Sequence, residues 1–298
     1  MLINRTALAG LYTGFSAAFQ SGFAGVEPMY GRVAMTVPST TRTNEYGWLG
    51  QMPRIREWIG DRVVNSIETY GYALRNKPFE MTIGVDRDDI DDDNLGIYTP
   101  LFSEMGNAAA TFPDELVWPL LKAGFTTPCY DGQYFFDTDH PVLDENGVAV
   151  SVSNTGGGAG TPWFLLDVSR VIKPVIWQTR KPFDNLIRKD RETDDNVFDR
   201  KEYVYGVDGR CNVGFSFWQI AYGSRQALDA LSYEAARVAM GDLKGDYGRP
   251  LGVKPRLLVV PHSLEGAARR IVGNQLINGG QTNEWYGTAE VMVVPWLA

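Results

Sequence analysis

Cysteine and histidine are scarce in this chain of 298 residues, with two of each. Cys129 and Cys211 form no C-x-x-C pair and there is no Cys/His cluster, so neither a disulfide framework nor a structural zinc is indicated, and a reducing cytoplasm fits. No apolar run is long enough to cross a bilayer. The first residues lack a basic region followed by an apolar core and a cleavage site, so the expectation is a soluble chain with no membrane partner and no export. Basic charge is short as well: 28 Lys and Arg face 36 Asp and Glu, a formal charge of −8. Binding nucleic acid by neutralising many phosphates needs the opposite balance. Nucleotide and hydrolase signatures are missing too: there is no G-x-x-x-x-G-K-[ST] and no G-x-S-x-G. The glycine run 156–160 lacks a strand-to-helix setting and reads as a flexible connector.

What is present is a foldable chain, 44% hydrophobic and long enough to bury a sizeable core. Its organising stretch is 79–124. Phe79, Met81, Ile83 and Val85 alternate as in a half-buried strand, and the carboxylates Asp86, Asp88, Asp89, Asp91, Asp92 and Asp93 follow. A long helix comes next, with Thr99 placed to cap, Pro100 at its first position and Gly124 to stop it. Leu101, Met105, Ala108, Phe112, Leu116 and Leu120 define its expected buried stripe, and Pro113 and Pro119 should kink it. The acidic cluster fails as a calcium loop: counted from Asp89, the sixth place is Asn94 and the twelfth Pro100, where Gly and Glu belong. It reads as a solvated connection ahead of a positive helix end.

Leu11, Phe15, Phe19 and Phe23 recur every four residues in a segment too short to be a stable helix alone. Val33, Met35 and Val37 alternate, as do Tyr70, Tyr72 and Leu74, around a short helix with Ile55, Trp58, Ile59 and Val63 on one face and Trp48 just outside it. A hairpin is expected over 70–85, turning at Arg75, Asn76 and Lys77, with bulky groups on both sides that need a partner surface. Lys77 at such a tip reads as a solubilising residue that blunts an edge. Asp137, Asp139 and His140 are the nearest approach to a metal or acid–base constellation, but they lack a second imidazole. Each histidine reads more simply as a hydrogen-bonded structural residue, His262 lying in a strand-to-helix turn before Ser263, which is placed to cap. Segments 163–177 and 203–223 are strand-rich, separated by a charged loop at 188–202. The last part alternates: a helix face of Leu228, Leu231, Ala235 and Val238, a strand at 257–260, a helix with Leu264, Ala267, Ala268 and Ile271, and a strand at 291–294.

Four long strings carry a resemblance: N-E-Y-G-W-L-G-Q-M-P-R-I-R-E-W-I-G-D-R from Asn44, Y-D-G-Q-Y-F-F-D-T-D-H-P from Tyr130, G-V-D-G-R-C-N-V-G-F from Gly206 and L-V-V-P-H-S-L-E from Leu258. They are similar to the major head subunit family of Mu-like phages, over nearly the whole chain. The resemblance implies an α+β fold of the Hong Kong 97 phage capsid type. Its parts would be an N-terminal arm (1–29), an extended-loop region (30–85), a peripheral domain with the spine helix (86–160), a strand-rich part shared by peripheral and axial domains (161–224) and the axial domain (225–298). It implies a structural protein without catalytic residues, cofactor or metal, self-assembling as hexamers and pentamers into an icosahedral head around double-stranded DNA.

The implied partners are a portal protein, a separate scaffolding protein, since no charged helical extension precedes Leu2, and a decoration protein as a further candidate. The implied location is the virion, assembled in the host bacterial cytoplasm. The arm residues Leu11, Phe15, Phe19 and Phe23 then become candidates for contact with a neighbouring subunit. So do Trp48, Trp58, Tyr70, Tyr72, Lys77 and Phe79 in the reaching loop. Two alternatives stand beside this: a nanocompartment shell around enzyme cargo, and a metal-dependent enzyme using Asp137, Asp139 and His140. One departure from the family is expected, namely that the blocks 163–223 and 227–297 stand in reversed order, which would place strand 291–294 beside the start of the Trp163 block.

Overall fold

The computed structural model describes residues 4–49, 71–92 and 95–298. Along the chain these form α1 (Arg5–Ala24), β1 (Ala34–Pro38), β2 (Thr43–Glu45), β3 (Ala73–Arg75), β4 (Lys77–Asp86), α2 (Arg87–Asp91) and α3 (Tyr98–Lys122). Then follow β5 (His140–Leu143), β6 (Ala149–Val152), β7 (Thr155–Gly158), β8 (Trp163–Leu166), β9 (Val175–Lys181), β10 (Ile187–Lys189), α4 (Asp195–Arg200) and β11 (Glu202–Phe215). The last elements are β12 (Ala221–Arg225), α5 (Ala230–Gly241), β13 (Lys244–Gly245), β14 (Arg249–Pro250), β15 (Leu257–Val260), α6 (Glu265–Ala268) and β16 (Glu290–Val293).

Two five-stranded sheets divide these elements. In the first, β11 is the central strand: β4 pairs antiparallel along one edge, while β10 and β9 take successive stretches of the other, and β1 runs parallel to β9. In the second the order is β16-β15-β8-β12-β7, with β8 antiparallel to both of its neighbours. The chain enters the second sheet with β7 and β8, returns to the first for β9 to β11 and comes back with β12, so the strand-rich middle belongs to both.

Helices α1 and α3 cover the first sheet. Asn4 caps α1 by accepting from the Ala7 amide at 2.9 Å, but the helix contains Gly10, Gly14 and Gly22, each costing about 1 kcal/mol against Ala. Packing therefore holds it. Phe15 stacks on Phe102 of α3 with centroids 4.2 Å apart, and both rings meet Tyr205 of β11 edge-on at 5.3 and 5.5 Å. The two helices cross with backbones almost touching. A Cβ on Gly22 would lie 1.8 Å from the Ser103 carbonyl oxygen, and one on Gly106 would lie 2.0 Å from that of Phe19. Asp114, fully buried, closes the far end by accepting from the Met29 amide at 3.0 Å and from Trp118 Nε1 at 2.8 Å. The expected arm along a neighbour is thus, for α1, a helix docked on the spine of its own chain.

The spine helix differs in detail from its expected form. Thr99 does not cap it; α3 begins at Tyr98 behind a short 3-10 turn and runs through both Pro113 and Pro119 to Lys122. Its buried stripe is displaced by one residue, to Phe102, Met105, Gly106, Ala109, Pro113, Val117 and Leu121, and Leu101 is exposed. The small residues in that stripe are what admit α1. The hydrogen bonds lost at the prolines are offset by burying the aromatic and aliphatic members of the same face. Just ahead of it, α2 organises the acidic connection: Asp86 caps it through the Asp88 amide at 2.8 Å, and Asp89 accepts from the Tyr98 hydroxyl at 2.5 Å.

The expected hairpin at 70–85 is not formed. β3 pairs with β2, and β4 pairs with β11 from Lys77 opposite Cys211 to Asp86 opposite Glu202. The two strands are consecutive, but each finds its partner elsewhere in the chain. Nor is the glycine run a free connector, because β7 lies parallel to β12 as the end strand of the second sheet. Gly158, at φ +89°, is packed so that a Cβ would stand 2.6 Å from the Arg225 backbone.

Between the sheets lies the segment 124–136. Adjacent rings point opposite ways: Phe135 stacks on Phe215 of β11 at 4.1 Å, and Phe136 on Phe164 of β8 at 5.3 Å. Asn154 fixes this wedge. Its amide donates to the carbonyls of Phe135, Trp218 and Ala221 at 2.8, 3.3 and 3.2 Å, and its oxygen accepts from the Asp137 amide at 2.9 Å.

Candidate assembly surfaces

The residues expected to meet a neighbour are, where described, mostly used inside the chain. Phe15 and Phe19 are buried, and Leu11 and Phe23 are half-buried against the same core. Trp48 packs edge-on against Phe217 at 5.7 Å, and Phe79 against Phe112 at 4.8 Å. The Tyr72 hydroxyl accepts from the Phe215 amide at 2.8 Å, and burial pushes its pKa up to about 12. Lys77 alone of the described candidates is exposed, at the start of β4 and not at a hairpin tip. Trp58 and Tyr70 lie outside the described residues, as do Ile55, Ile59 and Val63. The described aromatic members of the set, Phe15, Phe19, Phe23, Trp48, Tyr72 and Phe79, are buried or half-buried in their own chain, and periodicity carries no information about whose surface covers them.

The exposed apolar groups lie elsewhere. Val171 is 92% exposed, Phe198 on α4 85% and Leu231 on α5 77%. On α5 the core face is Tyr233, Ala236 and Met240, so the expected face of Leu231, Ala235 and Val238 points outward, and only Leu228 of that set is buried. Both sides of this helix are apolar, and the side carrying the large Tyr233 and Met240 took the core. Ser263 does not cap: it lies inside the short turn His262–Leu264, and neither that turn nor α6 has a side-chain cap, while His262 is exposed with Nδ1 3.9 Å from Glu265.

The polar constellation also rearranges. His140 is fully buried, stacked on Trp218 at 4.0 Å, and its Nδ1 bonds Asp131 Oδ2 at 2.7 Å, while Asp137 spends its carboxylate on the Tyr134 and Thr138 amides. Asp139 hydrogen-bonds Asp137, which raises its carboxyl above the ordinary range. The unforeseen partner is Asp131, whose other oxygen accepts from Cys129 Sγ and the Gln133 amide, both at 3.1 Å. Ligand-type atoms of Cys129, Asp131 and His140 lie within 4.8 Å of one another. Both Asp131 oxygens are nevertheless occupied, and burial, seconded by Asp131, raises the Cys129 thiol far from the thiolate that a metal requires. Burial alone would raise Asp131; the bonds from His140 and Cys129 outweigh it and hold the carboxyl low. His140 Nε2 is buried without a hydrogen-bond partner among the described residues. The group acts as a structural latch between the 129–140 turn and Trp218. Among the described residues no helix is long and apolar enough to cross a membrane.

A spine helix laid on a sheet, joined to a second sheet with its own flanking helices, is the α+β architecture of Hong Kong 97 type capsid proteins, and the class is that of a shell subunit. Over residues 8–297 the chain matches the family model for the Mu-like prophage major head subunit gpT, and it belongs to that family. It is 42% identical over 306 residues to the major capsid protein of Escherichia phage Mu, covering 100% of both chains. Against the procapsid of bacteriophage JBD30 the TM-score is 0.87 at 47% identity, covering 99% of this chain and 100% of that one. Against the JBD30 capsid decorated with minor capsid protein trimers it is 0.76 at 38%, covering 92% and 93%.

The chain is therefore a non-enzymatic structural protein, a major capsid protein of the Mu-like type and a component of the phage virion. The in-order alignment through both whole chains removes the expected reversal of blocks. The strand order agrees: β15 stands between β16 and β8, so the final strand is not beside the Trp163 block.

Proposed function

We propose that this chain closes, as hexamers and pentamers, into an icosahedral head that encloses double-stranded DNA. The observation that carries this reading is the set of large apolar side chains left in solvent, Val171, Phe198 and Leu231 foremost. Such groups mark surfaces that partners cover. In this reading α1, α3 and the first sheet form the peripheral domain, α5, α6 and the second sheet form the axial domain, and 161–224 contributes to both. Lys77 and the segment holding Trp58 and Tyr70 remain interface candidates toward the next subunit. Portal and scaffolding proteins are the partners during assembly in the host cytoplasm, and a decoration protein is a further partner, as minor capsid protein trimers are for JBD30. The net charge of −8 suits a wall that does not grip its contents. Electron microscopy and sedimentation of the purified protein test this: closed particles of uniform size are expected, and a monomer at every concentration would sink it.

A further inference from the structure

Beside the outward stripe of α5 the surface opens into a groove of about 490 Å³ lined by Val142, Leu143, Val150, Val152, Ala239 and Leu243. Its rim is acidic, with Asp144, Glu145 and Asp242 against Lys244. Asp242 is the C-cap residue of α5, where a carboxylate meets the negative end of the helix, and it makes no ion pair among the described residues. The carboxylate is exposed and, among the described residues, unpaired, so a cation brought by a partner would complement it.

The complementary feature is the turn 274–283 on the way to β16. Leu276 bridges Thr282, the Ile277 amide donates to the Gln281 carbonyl at 2.9 Å, and Gly279 and Gly280 turn the chain at φ +79° and +80°. Its base is fixed by the nearly buried Asn283, whose amide donates to the Ile271 and Asn274 carbonyls, both at 2.7 Å. The turn is thus preorganised, yet Leu276 and Ile277 are exposed at 59% and 47%. Arg270, exposed beside the base, makes no ion pair among the described residues. In its own chain the turn does not line the groove.

We propose that the occupant of the α5 groove is a second copy of this chain, with its Leu276–Ile277 knob seated among Val150, Ala239 and Leu243 and its Arg270 facing Asp242. Knob and groove are different surfaces, so the contact is head-to-tail and propagates around a ring instead of stopping at a dimer. The outward Leu231, Ala235 and Val238 extend the same apolar strip along α5. The inference rests on the shell reading and names the surfaces through which neighbours join.

Two measurements test it. Asp242→Arg and Arg270→Asp each lower particle yield by on the order of tenfold, the effect of about 1.4 kcal/mol per contact, and the double exchange restores it. Circular dichroism and thermal melting of the subunits stay unchanged, since both side chains are exposed. Independently, Val150→Cys with Ile277→Cys in one chain, mildly oxidised, gives a ladder of cross-linked species above the dimer on a non-reducing gel. Folded single variants that assemble normally, or a double exchange that fails to rescue, overturn the proposal, as does a chain that cross-links only to dimers or not at all. A wild-type protein that forms no particles while the ladder still appears would instead count against the closed-shell reading and for this contact.

Discussion

A methyl group on Gly106 has nowhere to go, because its nearest neighbours are backbone atoms of Phe19 and Phe23 that cannot rotate away. Gly106→Ala and Gly22→Ala should each destabilise the subunit by roughly 1–3 kcal/mol through forced separation of α1 and α3. Gly10→Ala, whose Cβ meets nothing within 4 Å, should stabilise it by about 0.5–1 kcal/mol. Urea unfolding of the three variants checks this, and equal midpoints would refute the close crossing. Asp131 supports a second prediction. Its folded carboxyl is held below the ordinary value, so its contribution is complete above the unfolded pKa of about 3.9 and is lost as pH falls through the folded value. Wild-type stability should therefore drop more steeply below about pH 4 than that of Asp131→Asn; parallel pH profiles would show that the latch with His140 contributes nothing. His140 could be read from the sequence as structural, but not its partner, because Asp131 is brought to it by the turn at 129–134, which no periodicity announces.

At the scale of elements, the strands and helices of the last third were legible: β15 falls on 257–260, β16 lies one residue before the expected 291–294, and the helix traced by 264–271 is α6 continued by a π-helical turn at Arg269–Gly273. The elements that failed did so for identifiable reasons. β3 and β4 are adjacent in sequence and separated by one residue, the pattern of a hairpin, but β11 offers β4 a ten-residue ladder that a three-residue β3 cannot match. On α3 the largest apolar residues suggested one stripe, and the demand of α1 for small residues selected the next. On α5 two apolar faces competed, and sequence alone does not say which one a neighbour takes. It follows that β4 is folded before assembly. Hydrogen exchange on the unassembled subunit should show amides of β4 protected by their pairing with β11, and exchange as fast as in an unfolded chain would contradict the sheet order.

For the whole molecule, the join between the two sheets decides how far one can move against the other. Arg32 reaches from the first layer to Glu290 of β16 with a two-pronged ion pair at 3.0 and 2.6 Å. Its partners are 48% and 60% exposed, so it contributes no more than about 1 kcal/mol after solvent screening. The Phe135–Phe136 wedge is much stronger. Phe136→Ala should cost about 3–5 kcal/mol and loosen the second sheet, while Arg32→Ala should be nearly silent; calorimetry that ranks them the other way would overturn this account of the join.

The two native thiols carry a practical consequence. Cys129 is 6% exposed and Cys211 is fully buried, with the pKa of the latter pushed up to about 12 by burial, so neither offers a reactive thiolate at neutral pH. The folded subunit is therefore chemically silent toward maleimides. A single cysteine introduced at an exposed polar site outside the proposed contact surfaces, such as Thr161, would become the sole address for a dye, a peptide or an antigen, one per subunit and repeated over the whole particle with the spacing of the lattice.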